Sequence, residues 1–171
     1  LNFVEGEFIT GLLDSPVLKW SGKGYDVVTA FDVFEHIYQP DQAMRNINML
    51  LKKGGRVFIE TGNCDSSWAR KYGIPHWWYV RLFEHHVFWS PTSLTAIAKK
   101  HGFAVEQVVK KRHKRWHYET LLFVCSSTMR SVLWRCSPWL FKKIRSWQGK
   151  NPKQPRSPFI LDHVLVVLRK L

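Results

Sequence analysis

Two carboxylate–imidazole pairs are the groups in this 171-residue chain best suited to chemistry. Asp32-Val33-Phe34-Glu35-His36 sets Glu35 beside His36, and Glu84-His85-His86 repeats the pairing further along. A histidine next to a carboxylate can take up a proton near neutral pH, so His36 and His85 are candidates for acid–base work. The plainer alternative is capping and loop pinning. No metal is expected: His85-His86 and His113-x-x-x-His117 lack a third ligand at useful spacing and sit among Lys and Arg. Ser21-Gly22-Lys23-Gly24 lacks the spacing of a phosphate-binding loop and reads as a turn.

Such groups act only where backbone elements hold them. Tyr25–Phe31 (YDVVTAF) is a nearly continuous apolar run between turn residues, which predicts a strand buried on both faces and ending beside Asp32. Pro40 and Asp41 open a helix whose apolar positions, from Ala43 to Leu51, recur at three- and four-residue spacing. Gly54-Gly55 should stop it, and Arg56–Thr61 is the next strand. Ser90-Pro91-Thr92 caps a helix through about His101, and Phe103–Val109 is a further strand. This alternation predicts a parallel sheet in an α/β sandwich. Leu1–Val4 and His163–Leu168 read as outlying strands. Residues 117–136 and 139–147 read as two helical stripes, and 149–158 as a Pro-rich linker.

Charge divides the chain. The net charge is +13, yet residues 1–60 carry 6 basic and 8 acidic side chains while residues 110–171 carry 15 and 2. A near-neutral core with a basic, aromatic appendage follows. Three cysteines without a C-x-x-C pair argue against a disulfide scaffold or zinc ribbon. No apolar run reaches membrane-spanning length and no secretory n-region opens the chain, so the expected location is cytoplasmic, with peripheral membrane association as an alternative. The aromatic stretch 68–89, from Trp68 to Trp89, is either a loop packed over the sheet edge or an apolar wall for an acceptor.

In order, YDVVTAFDVFEH (25–36), LLKKGGRVFIET (50–61) and FEHHVFWSPTSLTAIAKKHGF (83–103) resemble class I S-adenosylmethionine-dependent methyltransferases, most of all the small-molecule branch with Glu-His after strand 4. The resemblance implies an α/β fold: an incomplete Rossmann-like sheet holding strands 3, 4, 5, 6 and 7 of the 3-2-1-4-5-7-6 order, with a helical insertion. Residues 1–111 would be the C-terminal part of the methyltransferase core, 112–158 the basic insertion and linker, and 159–171 the final strand. It implies S-adenosylmethionine as cofactor, contacted by Gly6, Glu7, Phe8, Phe31, Asp32, Val33 and Glu35. His36 and His85 then become the catalytic candidates, because methylating a hydroxyl requires loss of its proton.

The usual glycine-rich loop is absent, since no G-x-G-x-x-G occurs in the chain. The acid that binds the ribose hydroxyls also has no counterpart. The expected function is therefore methyl transfer to a small-molecule or lipid-linked acceptor by a partial domain inactive alone. Alternatives are a non-catalytic methyltransferase-like binding protein, or a basic module associating with membrane or nucleic acid. Residues 128–148 combine Trp and Phe with Lys and Arg, which suits an anionic membrane surface. Nucleic acid is disfavoured because no recognised binding module is present.

Overall fold

A computed structural model describes residues 10–16, 24–81, 83–112, 129–130, 132–148 and 161–171. The strand expected at 1–4, the loop holding Gly6, Glu7 and Phe8, the first part of the helix expected over 117–136 and the 149–158 linker lie outside the described residues; 129–130 and 132–136 are helical as expected. Tyr25–Phe31 forms β1. A single 3₁₀ turn, Phe34–His36, follows it, and then α1 runs from Pro40 to Leu50 with Pro at its start. Leu51–Gly62 is β2, Ser67–Tyr72 is α2, Pro91–Lys100 is α3 and Phe103–Lys111 is β3. Pro138–Trp147 forms α4, capped by Ser137, and His163–Lys170 is β4.

The strands lie in the order β1-β2-β4-β3. β1 and β2 are parallel, but β4 is antiparallel to both of its neighbours, which corrects the all-parallel expectation. Lys111 at the end of β3 pairs with His163 at the start of β4. The chain thus leaves and re-enters the sheet on one edge, and β4 can only run back.

The second correction concerns Gly54-Gly55. These residues do not end the helix; they lie within β2, which begins directly after α1. The β1–β2 register jumps from Tyr25↔Leu51 to Val27↔Arg56, so extra β2 residues bulge out there. Gly54 takes φ +78° in that bulge, a conformation that glycine adopts at little cost.

Helices α1 and α3 cover one face of the sheet. Met44, Ile47, Leu94 and Ala98 from the helices meet Val57, Ile59, Val164, Val166 and Leu168 from the strands, with Phe34 and Trp89 joining the same core. Ser90 caps α3 through a reciprocal pair of hydrogen bonds with Ser93. Asp41 in the first turn of α1 contacts both Lys100 and His101 at the end of α3. Hydrogen bonds from these two groups hold its carboxyl at about 2, below the ordinary 3.8.

β1 departs furthest from expectation. Instead of being buried on both faces, it buries only Ala30 fully, and Val27 and Phe31 are each 53% exposed. Among the described residues it has one strand neighbour, β2, and no layer covers its outward face.

Candidate functional site

The strand directions bring the ends of β1, β2 and β3 and the start of β4 to one edge. Open parallel sheets bind ligands on such a carboxyl edge. At the end of β1, Asp32 turns the chain with φ +52°, held by its N–H donating to the Glu60 carbonyl at 3.0 Å. A non-glycine residue in this region is uncommon and tends to persist where the surroundings enforce it. The Asp32 carboxylate is half exposed and lies 3.8 Å from Nε2 of His163.

His163 is fully buried, and its Nδ1 lies 3.1 Å from Oδ1 of Asp162. A carboxylate only accepts, so Nδ1 carries the proton. Asp162 also accepts from the Trp78 indole at 2.8 Å, and the Trp78 ring stacks alongside His163. Trp78, Asp162 and His163 thereby build a rigid support behind Asp32.

Next to it, the 3₁₀ turn sends Glu35 inward. Its side chain is buried and accepts from the Thr61 hydroxyl at 2.8 Å and from the Tyr79 phenol in a very short bond. The backbone carbonyl of Glu35 accepts from the N–H groups of His86 and Val87, which ties the turn to the second Glu-His stretch. The Tyr79 ring fits because residue 62 is glycine: a methyl group there would overlap the ring. Burial, together with the Glu35 carboxylate, drives the Tyr79 phenol well above its ordinary pKa, so it remains a donor.

His36 and His85 face one another above this carboxylate, ring centroids 4.8 Å apart and edge to face. Nδ1 of His36 donates to the Glu84 carbonyl at 2.7 Å, and its Nε2 lies 4.0 Å from Oε1 of Glu35. Burial lowers the His85 pKa, against an opposing pull from Glu35, and its Nδ1 is buried without a hydrogen-bond partner. The sequence-identified residues Asp32, Val33, Glu35, His36 and His85 thus meet at one edge, with Phe31 exposed beside them. Glu35 points its carboxylate into the protein rather than toward solvent.

Four polar residues of this constellation were not singled out by the sequence: Thr61, Tyr79, Asp162 and His163. Tyr79 lay inside a stretch legible only as aromatic, and His163 opened what read as an ordinary strand. The aromatic stretch itself is mostly packing. Trp77, Tyr79 and Val80 form a small buried cluster with Ala69, and Trp89 donates to the Phe34 carbonyl at 3.0 Å. Further along the same edge, an open cleft of about 690 Å³ is lined by Asn63, Ser66, Arg70, Lys71 and Lys110.

Residues 8–108 match the family model described as a methyltransferase domain. The chain belongs to this methyltransferase-domain family. Over 39 residues it is 49% identical to the ubiquinone biosynthesis O-methyltransferase of Aeromonas salmonicida, a match covering 23% of this chain and 16% of that relative. Among solved structures, the YcgJ protein of Bacillus subtilis superposes with a TM-score of 0.58 at 18% identity, covering 94% of this chain and 69% of that one. A SAM-dependent methyltransferase from Thermotoga maritima gives 0.56 at 14% identity, covering 94% and 62%. The chain therefore spans only part of the proteins it resembles, while its fold is the Rossmann-like methyltransferase fold. S-adenosylmethionine is the cofactor of such domains. Two features are compatible with it: an exposed Phe31 ring and a half-exposed Asp32 carboxylate, both at the carboxyl end of β1.

Proposed function

We propose that this methyltransferase domain forms the methionine-side and acceptor-side wall of a methyl-transfer site acting on a hydroxyl of a small-molecule or lipid-linked acceptor. One observation carries the reading: Asp32 and the Glu35–His36–His85 group converge at the end of β1. When bound, S-adenosylmethionine supplies an electrophilic methyl group. Asp32, backed by His163, would receive the cofactor's amino group, with Phe31 and Val33 as an apolar flank. The adenine contacts expected of Gly6, Glu7 and Phe8 fall outside the described residues. His36 and His85 present imidazole nitrogens to the acceptor hydroxyl, and Glu35, fixed by Thr61 and Tyr79, orients that pair.

Alone, the chain is expected to hold the cofactor weakly. The glycine-rich loop and the ribose-binding acid are missing from its sequence. Two charge-assisted hydrogen bonds at roughly 1.5–3 kcal/mol each correspond to about 10² to 10⁴ in affinity. The uncovered outward face of β1 supports the same view, because an apolar strand at the cofactor edge would ordinarily be covered. Calorimetric titration with S-adenosylmethionine, paired with NMR at millimolar ligand, tests both parts. Expected are weak binding and shifts confined to residues 31–36. Low-micromolar affinity would refute the partial cleft, and unperturbed amides at 31–36 would refute the methyl-donor site.

One surface supports a location. Between β3 and β4, Trp139 and Trp147 are 68% and 88% exposed, and the Lys143 ammonium lies 4.9 Å over the Trp139 ring. Phe141 and Trp134 anchor this helix from beneath as an edge-to-face pair. Exposed tryptophans among cations suit the boundary of an anionic bilayer, which would bring a lipid-linked acceptor to a cytoplasmic, peripheral enzyme. No helix among the described residues is long and apolar enough to cross a membrane. Flotation with anionic and neutral liposomes separates the outcomes: recovery with anionic vesicles only, reduced in Trp139→Ala/Trp147→Ala, is expected, and equal recovery with both would remove the idea.

A further inference from the structure

We propose that Glu35, His36 and His85 form a binding site for one borderline divalent cation such as Zn²⁺, Mn²⁺ or Co²⁺. One ligand atom from each of the three lies within 4.8 Å of the others. The sequence hid this set because its third ligand, His85, comes from the distant loop ahead of α3 rather than from the neighbourhood of the Glu35–His36 pair.

The surroundings are those of a ligand set held ready. A metal-binding imidazole ordinarily donates its other ring N–H to a carbonyl or carboxylate, which fixes the ring and the tautomer. Nδ1 of His36 does this to the Glu84 carbonyl at 2.7 Å, leaving Nε2 as the free atom. Ligating carboxylates are likewise oriented by hydrogen bonds, and Glu35 accepts from Thr61 and Tyr79 while each oxygen keeps a further lone pair. His85 contributes the sharpest sign: its Nδ1 is buried with no hydrogen-bond partner, an uncommon state that a missing ligand would explain.

Geometry requires only a small closure. With metal–ligand distances of roughly 2.0–2.2 Å, ligand atoms lie at most about 4.4 Å apart. The His36 side chain is 43% exposed and the Glu35 side chain 1%, so the few tenths of an ångström of closure fall to the imidazole side, with the Glu84 carbonyl as its pivot. Two imidazoles and one carboxylate suit borderline divalent metals rather than Mg²⁺ or Ca²⁺. Three protein ligands also leave coordination positions open. Oxygen donors of the acceptor, such as adjacent hydroxyl groups, would fill them and be polarised there. That use of the cation rests on the methyl-transfer reading and would replace direct contact of the two imidazoles with the acceptor hydroxyl by polarisation through the cation; the cation's binding does not rest on it.

Titration of the full chain with Co²⁺, followed by visible absorption and calorimetry, tests the site. One equivalent is expected, weakened about tenfold or more in His36→Ala and in His85→Ala. His86→Ala and His101→Ala, on imidazoles outside the set, should leave it unchanged. Circular dichroism verifies the fold of each variant, and His36→Ala, at a half-exposed ring, keeps the test usable if His85→Ala unfolds. Absence of stoichiometric binding, or equal weakening by His86→Ala, would overturn the proposal. Cobalt binding without any response to S-adenosylmethionine would instead overturn the methyl-donor reading and leave the cation site standing.

Discussion

β1 and β4 are written in nearly the same language, YDVVTAF and HVLVVL, yet the protein treats them oppositely. In β4, Val164, Val166 and Leu168 are buried on one face, and His163 and Val167 on the other. In β1, Tyr25, Val27 and Phe31 stand in the open. The difference is one of neighbours. β4 pairs with β2 and β3, whereas β1 pairs with β2 alone. A run of apolar residues states what a strand can bury, and the strands and helices around it decide whether it does.

The comparison breaks most visibly under charge. Val166→Asp places an unpaired carboxylate in the core and should cost about 4 kcal/mol or more, removing the cooperative thermal transition seen by circular dichroism. Val27→Asp at the equivalent apolar run should stay within about 0.5 kcal/mol. If both variants unfold the protein, β1 is covered in solution and the contrast fails.

Next in size are changes at the Glu35 support, where the end of β1 meets the buried part of the sheet. Tyr79→Phe leaves Glu35 short of one donor and should cost roughly 1.5–3 kcal/mol in urea denaturation. Gly62→Ala, which drives a methyl group into the Tyr79 ring, should cost about 1–3 kcal/mol by the same measurement. Little change in either would mean that the Tyr79–Glu35 contact does not stiffen this edge.

A smaller effect is expected where α1 is tied to α3. The folded-state pKa of Asp41, about 2, lies below its ordinary 3.8, so its contribution is present above that ordinary value and is lost as pH falls toward 2. Asp41→Asn should flatten the acid limb of stability across that window, read by denaturation at several pH values. An unchanged limb would show that Lys100 and His101 do not hold the carboxylate in solution.

The smallest expected perturbation needs no mutation. Backbone amides of β1 on its unpaired side should exchange with deuterium far faster than those of β4, whose two neighbours bond both sides. Equal protection would reveal a partner for β1.

Much of the framework was legible in advance. Tyr25–Phe31 was bounded correctly as a strand because turn residues flank an apolar run, and α1 began at Pro40 because proline suits a first helical turn. Ser90 marked the start of α3 through its capping chemistry. Legibility ended where partners are distant in sequence. The antiparallel return of β4 depends on which edge the chain re-enters after β3. The Glu35 support depends on Thr61 and Tyr79, brought in by β2 and by the aromatic loop.

The sequence by itself determined the strand at 25–31, the starts of α1 and α3, the family to which they belong, and the carboxylate–imidazole pairs at 35–36 and 84–85. These are local properties of spacing, capping and residue type. Tertiary structure alone decided that Glu35 faces inward, that His36 and His85 share one carboxylate, that His163 stands behind Asp32, and that β1 lies open. Hydrogen bonds and burial are relations between segments, and no local pattern records which segment arrives on the other side.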